Sequence, residues 1–245
     1  MPPEMRRIKV IVPVCTDMWN APVEGLLNAY KEPATQISVE NLGTGPESLE
    51  FAYDKAFAEL PTVQEAEKAE AEGFDGVIIY CFADPGLAAA REKLSIPVVG
   101  LCETSIHLAS QLGSRFSILL AGSERMFGNK RIVVFKRLKE YEFEHKCASI
   151  RPLNVPVLDL EAQHEAKVSR LLAEAKAAIE EDGADTIVLG CGGILHIGED
   201  VSKALNAPVV IPALAALKTC ELLLQMSLLQ SKRCYPMPEQ KKRLA

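Results

Sequence analysis

Short apolar runs alternate with longer amphipathic stretches along the whole chain. In the first half, 8–14, 37–42, the run closing at Cys81, and 97–101 read as strands. Between them, 19–30, 47–59, the stretch after Pro61 up to Glu72, and 84–93 read as helices, followed by 103–112. The second half repeats the alternation. Strands are predicted at 116–120, more weakly at 148–151 with 155–160 extending from it, at 186–190 and at 208–211. Helices are predicted at 124–141, 162–182, 198–205 and from Ala213 to about Leu229. Continuous apolar runs of four to eight residues between helical patterns are the mark of strands buried on both faces of a parallel sheet. In 162–182 the residues Val168, Leu171, Leu172, Ala175 and Ile179 form one helical stripe. Local signals refine the ends. Cys15-Thr16-Asp17 offers a helix N-cap, and Asp84-Pro85 fits an N-cap with proline at the first helical position.

One stretch occurs twice. Gly73-Phe74-Asp75-Gly76-Val77-Ile78-Ile79-Tyr80-Cys81 returns 110 residues later as Gly183-Ala184-Asp185-Thr186-Ile187-Val188-Leu189-Gly190-Cys191. Each copy is an acidic helical tail, a glycine, a turn aspartate, an apolar strand and a cysteine. The repeat predicts an α/β fold of two similar Rossmann-like lobes with parallel sheets, related by a pseudo-twofold. The first lobe is expected to take 1–102 plus 212–245 and the second 103–211, with the last helix returning to the first lobe. Each cysteine then stands at the carboxyl end of a strand, where open α/β sheets place their ligands, with the active site in the cleft between the lobes.

Composition narrows the function. Hydrophobic residues make up 48% and charged residues 24% of 245 residues, an ordinary globular balance that argues against disorder. A net charge of −6 disfavours nucleic-acid binding, which depends on neutralising phosphates. The basic residues that cluster, Lys232-Arg233 and Lys241-Lys242-Arg243, read as a solvated tail. No secretory signal pattern or membrane-spanning apolar run is present in the sequence. Seven cysteines, an odd number without a CxxC pair, indicate a reduced, cytoplasmic protein with neither a disulfide framework nor a structural zinc site.

The chemistry is expected at Cys81 and Cys191. Gly192-Gly193 follow one and Phe82-Ala83-Asp84-Pro85-Gly86 the other. Glycines let the backbone approach a ligand, and amides at a helix start are expected to lower the thiol pKa. Cys15, Cys102, Cys147, Cys220 and Cys234 read as small hydrophobes. His196 reads as a surface or core residue more readily than as a cleft residue. Two thiols from opposite lobes suit inversion of a stereocentre, in which one thiolate takes a proton and the other thiol returns one on the opposite face. The apolar and glycine neighbours of the thiols offer no fixed cation for a second substrate carboxylate.

These residues resemble the aspartate/glutamate racemase superfamily, and within it the hydantoin and allantoin racemase branch. The resemblance is carried by Gly45-Pro46-Glu47-Ser48-Leu49-Glu50, by Cys81-Phe82-Ala83-Asp84-Pro85-Gly86-Leu87 with Ala90-Arg91-Glu92, and by Pro97-Val98-Val99-Gly100-Leu101-Cys102-Glu103. Pro156-Val157-Leu158-Asp159-Leu160 and Leu189-Gly190-Cys191-Gly192-Gly193 complete it. It implies that Cys81 and Cys191 are the catalytic acid/base pair, that no cofactor or metal is used, and that subunits associate into a homo-oligomer. It further implies substrate contacts from Pro13, Pro46 and Ser48, from Phe82, Ala83 and Glu103, and from Ala121, Gly122, Gly192 and Gly193.

The chain departs from the family pattern in places. Superfamily amino-acid racemases follow their cysteines with Asn-Thr and Thr-Glu, whereas this chain has Phe82-Ala83 and Gly192-Gly193, which points away from free aspartate or glutamate. The branch's Asn-Pro-Asn-Thr is replaced by Val12-Pro13-Val14-Cys15-Thr16, and a usual Thr-Thr by Ala121-Gly122. The related arylmalonate decarboxylases keep one of the two thiols, so the presence of both favours racemisation. The leading expectation is a cofactor-independent racemase of a 5-substituted hydantoin or allantoin-type ureide. The alternatives are a racemase or isomerase of another small acid, such as aspartate, glutamate or a maleate-like diacid, and a non-catalytic small-molecule binder on the same fold.

Overall fold

The computed structural model describes residues 5–122, 124–159, 164–194 and 198–241. Strands β1 (Arg6–Val12), β2 (Thr35–Asn41), β3 (Gly76–Ile79) and β4 (Val98–Gly100) form a parallel sheet in the order β2-β1-β3-β4. Strands β5 (Phe116–Leu120), β6 (Cys147–Pro152), β7 (Thr186–Leu189) and β8 (Val209–Val210) form a second parallel sheet, β6-β5-β7-β8. The two orders are the same, and each reverses winding between its first and third strands. A crevice opens beyond the carboxyl ends of the strands at such a point. Every residue of β3, β5 and β7 is buried, because helices cover both faces of each sheet.

The helices are α1 (Asn20–Tyr30), α2 (Ala52–Ala71), α3 (Leu87–Lys93), α4 (Leu101–Leu112), α5 (Glu124–Glu140), α6 (His164–Glu180), α7 (Gly198–Leu205) and α8 (Pro212–Gln225). Helix α4 leaves β4 of the first sheet but packs on β7 of the second. Helix α8 leaves β8 of the second and packs on β3 and β4 of the first. The two helices also pack on each other, so Ile78 and Val99 share one core with Ile106, Leu217, Ile118 and Val188. Helices α2 and α3 close a smaller core on the other face of the first sheet, around Ile11, Val77, Ile79 and Leu94.

The repeated stretch has a repeated physical role. Gly73 and Gly183 end the preceding helices with φ of 80° and 72°, in the left-handed region where a side chain is strained. Arg7 Nη1 donates to the Glu72 and Gly73 carbonyls, and Arg115 Nη1 to that of Asp182, each at a helix carboxyl end. Asp75 then accepts the Arg7 amide at 2.7 Å, and Asp185 accepts the Ser114 amide at 2.8 Å. Each aspartate thus ties the entry of the third strand of its sheet to the entry of the first.

Several local expectations are corrected. Strand β1 ends at Val12, before Pro13, which cannot donate to a ladder. The α1 N-terminus is at Asn20, and the Asp17 carbonyl, not its side chain, accepts the Asn20 amide. The expected break at Pro61 is absent: α2 runs through it, and the segment 47–51 stays outside the helix. Its start is fixed by Asp54, whose carboxylate accepts the Glu50 and Phe51 amides at 3.0 and 2.8 Å. The extension past 152 is not a strand. Asn154 turns the chain with φ of 53°, Val155 makes one antiparallel bridge to Gly122, and 157–159 form a 3-10 turn. Helix α8 stops at Gln225, short of Leu229.

The tail beyond α8 is docked, not merely solvated. The Gln230 side-chain amide both donates to and accepts from the Val98 backbone at 3.1 Å, taking the place of a neighbouring strand at the β4 edge. Lys232 Nζ donates to the Arg91 and Glu92 carbonyls at 2.7 and 3.0 Å, at the carboxyl end of α3. Lys242 and Arg243 lie outside the described residues, as do His196 and Leu160.

Candidate active site

Cys81 and Cys191 each stand two residues past a central strand, β3 and β7, and both line one cavity of about 110 Å³ between the lobes. Their local geometry matches. The Ala83 amide approaches Cys81 Sγ at 3.5 Å, and the Gly193 amide approaches Cys191 Sγ at 3.4 Å. In each half the residue before the cysteine donates its amide back to the first strand of the sheet: Tyr80 to Ile11 at 2.8 Å, Gly190 to Leu119 at 2.7 Å. None of the seven cysteines is in a disulfide.

The expected lowering of the thiol pKa by a helix start is overturned for Cys81. Among the described residues no helix begins beside either cysteine: α3 starts at Leu87 and α7 at Gly198. Burial pushes the Cys81 thiol up to about 12. The Ala83 amide opposes this, the nearby Cys191 and Asp84 add to it, and Lys130 opposes it. A charge on one thiol therefore disfavours a charge on the other.

Asp84 takes a role different from the local cap its sequence suggests. Its backbone turns at φ of 44°, and its carboxylate reaches α4, accepting the Cys102 and Glu103 amides at 3.0 and 2.9 Å. Gly100 makes that approach possible, because a Cβ there would collide with the Asp84 carboxylate. Helix α5 and the turn after it close on the same loop: the Tyr141 hydroxyl donates to Asp84 at 3.1 Å, and Arg137 donates to the Ala83 and Asp84 carbonyls at 3.3 and 3.0 Å. Burial pushes the Asp84 carboxyl up to about 6 against the pull of the two α4 amides.

The pocket brings together Pro13, Ser48, Phe82, Ala83, Gly192 and Gly193 with the two cysteines. The other four expected contacts are placed elsewhere. Pro46 accepts the Cys15 amide at 2.9 Å and braces the loop after β1. The Ala121 carbonyl accepts Lys130 Nζ at 2.8 Å, and the Gly122 amide donates to Val155 at 2.7 Å, so both stand outside the pocket lining. Glu103 forms a two-pronged ion pair with the buried Arg91, which also donates to the Val98 carbonyl at 3.0 Å.

The wall also holds residues that were not among the expected substrate contacts. Trp19, Tyr80, Val133 and Val134 make it apolar. The Tyr80 hydroxyl crosses the cleft to the Gly192 carbonyl at 3.0 Å. Glu50 and Lys130 give it a charged corner, Nζ lying 3.6 Å from Oε2. A fixed cation is therefore present, contrary to expectation, although Glu50 offsets it. Its signal was available: Lys130 recurs with Val134, Arg137, Leu138 and Tyr141 at helical spacing, a lysine on the apolar face of α5. Among the described residues no group of three or more His, Cys, Asp or Glu is placed to hold a metal ion. No described helix is long and apolar enough to cross a membrane.

The sequence profile of the Asp/Glu/Hydantoin racemase family matches residues 10–220, a span that includes both cysteine loops. The chain belongs to that family. It is 34% identical over 236 residues to a hydantoin racemase of Pseudomonas sp. (strain NS671), covering 96% of this chain and 93% of that protein. Among solved structures, an allantoin racemase from Klebsiella pneumoniae superposes with a TM-score of 0.90 at 32% identity, covering 98% of this chain and 96% of that one. An allantoin racemase from Pseudomonas fluorescens superposes equally well, with a TM-score of 0.90 at 29% identity over 98% of this chain and all of its own. The two-lobed α/β architecture of this racemase family member is thus shared along the length of those chains.

Proposed function

We propose that this chain is a cofactor-independent racemase of a 5-substituted hydantoin or a related allantoin-type ureide, with Cys81 and Cys191 as its acid/base pair. The observation that carries the reading is the matched pair of thiols, each beside the amide two residues on, at equivalent strand ends and in one cavity. Racemisation in both directions needs an acid and a base of similar strength, which a like pair supplies. It also needs one of them charged and the other neutral. A charge on Cys191 raises the Cys81 thiol further, so the doubly charged state is disfavoured, and burial, the largest influence, favours Cys81 as the neutral partner. In a hydantoin the stereocentre adjoins a ring carbonyl, so the carbanion is delocalised as an enolate that fixed dipoles and a cation can stabilise.

Lys130 favours the reading as a racemase of a small acid, since it could receive a carboxylate. Its partner Glu50 works against that, because a second carboxylate beside Glu50 would meet like charge in a largely apolar wall. Self-association belongs to the same proposal. The exposed Leu108, Leu112 and Leu222 along the groove between α4 and α8 are the apolar surface that sedimentation of wild type and a leucine-to-serine variant would examine.

Polarimetry tests the reaction. A 5-substituted hydantoin, allantoin, aspartate and glutamate are each followed as single enantiomers without added cofactor. The expected result is decay of rotation for a ring substrate and none for the amino acids. Comparable rates on free aspartate would replace this reading with the small-acid one.

A further inference from the structure

Glu50 is a pocket residue whose chemistry the thiol pair does not account for. It lies just before α2, its backbone held by Asp54, and it is 7% exposed in a wall that is otherwise mostly aliphatic and aromatic. Ser48 Oγ donates to its Oε1 at 3.3 Å, but its Oε2 is buried without a hydrogen-bond partner. The neighbouring Lys130 Nζ, at 3.6 Å, is an ion-pair partner too far away to bond that oxygen. Lys130 spends one N–H on the Ala121 carbonyl at 2.8 Å. A buried carboxylate oxygen left without a donor is costly, and native structures pair such atoms with protein, water or ligand.

We propose that Glu50 and Lys130 together read one edge of the substrate ring: an N–H with a carbonyl beside it. In a five-membered cyclic imide or ureide, an N–H and its neighbouring C=O are held cis and point the same way. An acceptor and a donor side by side meet both. Of the two N–H groups of a hydantoin, the one between the two carbonyls goes to Glu50. That N–H is flanked by both carbonyls, and the one adjoining the stereocentre goes to Lys130, because enolate charge develops there and a cation is most effective. A side-chain carboxylate has no N–H to meet Glu50, so this corner favours a neutral ring edge over the second carboxylate of aspartate or glutamate. The choice of ligand rests on the ring-racemase reading, but binding and turnover are measured separately.

The test uses a 5-substituted hydantoin and its two N-methyl derivatives. Trp19, the only tryptophan of the chain, lines the pocket, so its emission reports binding without any need for reaction. Wild-type protein is expected to bind the ring methylated between the carbonyls roughly 10- to 100-fold more weakly than the parent, and the other N-methyl ring much as the parent. In Glu50→Ala that discrimination should fall to within about 3-fold, and Glu50→Gln should show an intermediate value. Wild-type protein that binds all three rings alike overturns the inference, with no variant needed. A methyl penalty that persists undiminished in both variants, shown to be folded by circular dichroism, also overturns it. Discrimination without racemisation of any ring instead defeats the reaction assigned above and leaves the recognition of the ring edge standing.

Discussion

The two cysteine loops place the same group by different means. Both thiols follow a buried central strand, and each is approached by the amide two residues on. Around Cys81 the support is polar: Asp84 is bonded to α4, and Arg137 of α5 and Tyr141 just past that helix are bonded to the loop. Around Cys191 the equivalent of Asp84 is Ile194, which is buried, and the equivalent of Tyr80 is Gly190. There the neighbouring carbonyl is held from across the cleft by the Tyr80 hydroxyl. The helix starts differ correspondingly. Helix α4 presents amides that Asp84 caps, while α8 begins with Pro212, which has no amide to cap. Duplication thus preserves the thiol position, while the supporting contacts are free to diverge.

The largest effects test what the halves share. Cys81→Ser and Cys191→Ser are each expected to lower racemisation by roughly 10²- to 10⁴-fold, measured by polarimetry, since inversion needs both groups. A large loss in only one variant would make the halves unequal in chemistry as well as in support. Next come the supports. Asp84→Ala leaves two α4 amides and the Tyr141 hydroxyl without their acceptor, at a cost of about 2–3 kcal/mol in urea unfolding. Gly192→Ala sets a Cβ 2.8 Å from the Tyr80 ring, an overpacking cost of about 1–3 kcal/mol. Replacing Tyr80 by leucine in the same chain should return part of that loss, as a double-mutant cycle would reveal.

The smallest expected effect is on pH dependence and belongs to the first half alone. The Asp84 carboxyl is raised to about 6 in the fold, above the ordinary 3.8, so the native state holds a proton that the unfolded chain releases. Its contribution to stability is therefore complete below about pH 4 and declines as pH rises through about 6. Unfolding free energies of wild type minus Asp84→Asn across that range should show the decline. Ile194, without a titrating group, should give no such difference when replaced by valine.

The duplicated fold was legible because its signal is written locally, twice: a helix-ending glycine, a strand-entry aspartate, four buried apolar residues and a cysteine. The partners of the loop residues were not, because they lie far away in the chain. Asp84 beside Pro85 has the local signature of a cap for its own helix, yet the amides it binds are 18 and 19 residues on, and Tyr141 is 57 residues away. Glu103 sits in a motif beside the chemistry and is drawn instead to Arg91, 12 residues back. Glu50 stands at the end of a motif as one charge among several. Its burial depends on how α5 closes over the loop before α2, which no local pattern encodes.

The central claim is that the two thiols serve opposite faces of one carbon. Its most direct test is proton exchange in deuterated buffer, with each enantiomer of a racemised ring substrate followed separately by NMR in Cys81→Ser and in Cys191→Ser. Serine is too weak an acid to serve as the base at neutral pH, so each variant keeps one working base. Each should therefore exchange the C–H proton of only one enantiomer, without inverting it, and the two variants should select opposite enantiomers. Exchange of the same enantiomer by both variants, or racemisation by either at a near wild-type rate, would contradict the account.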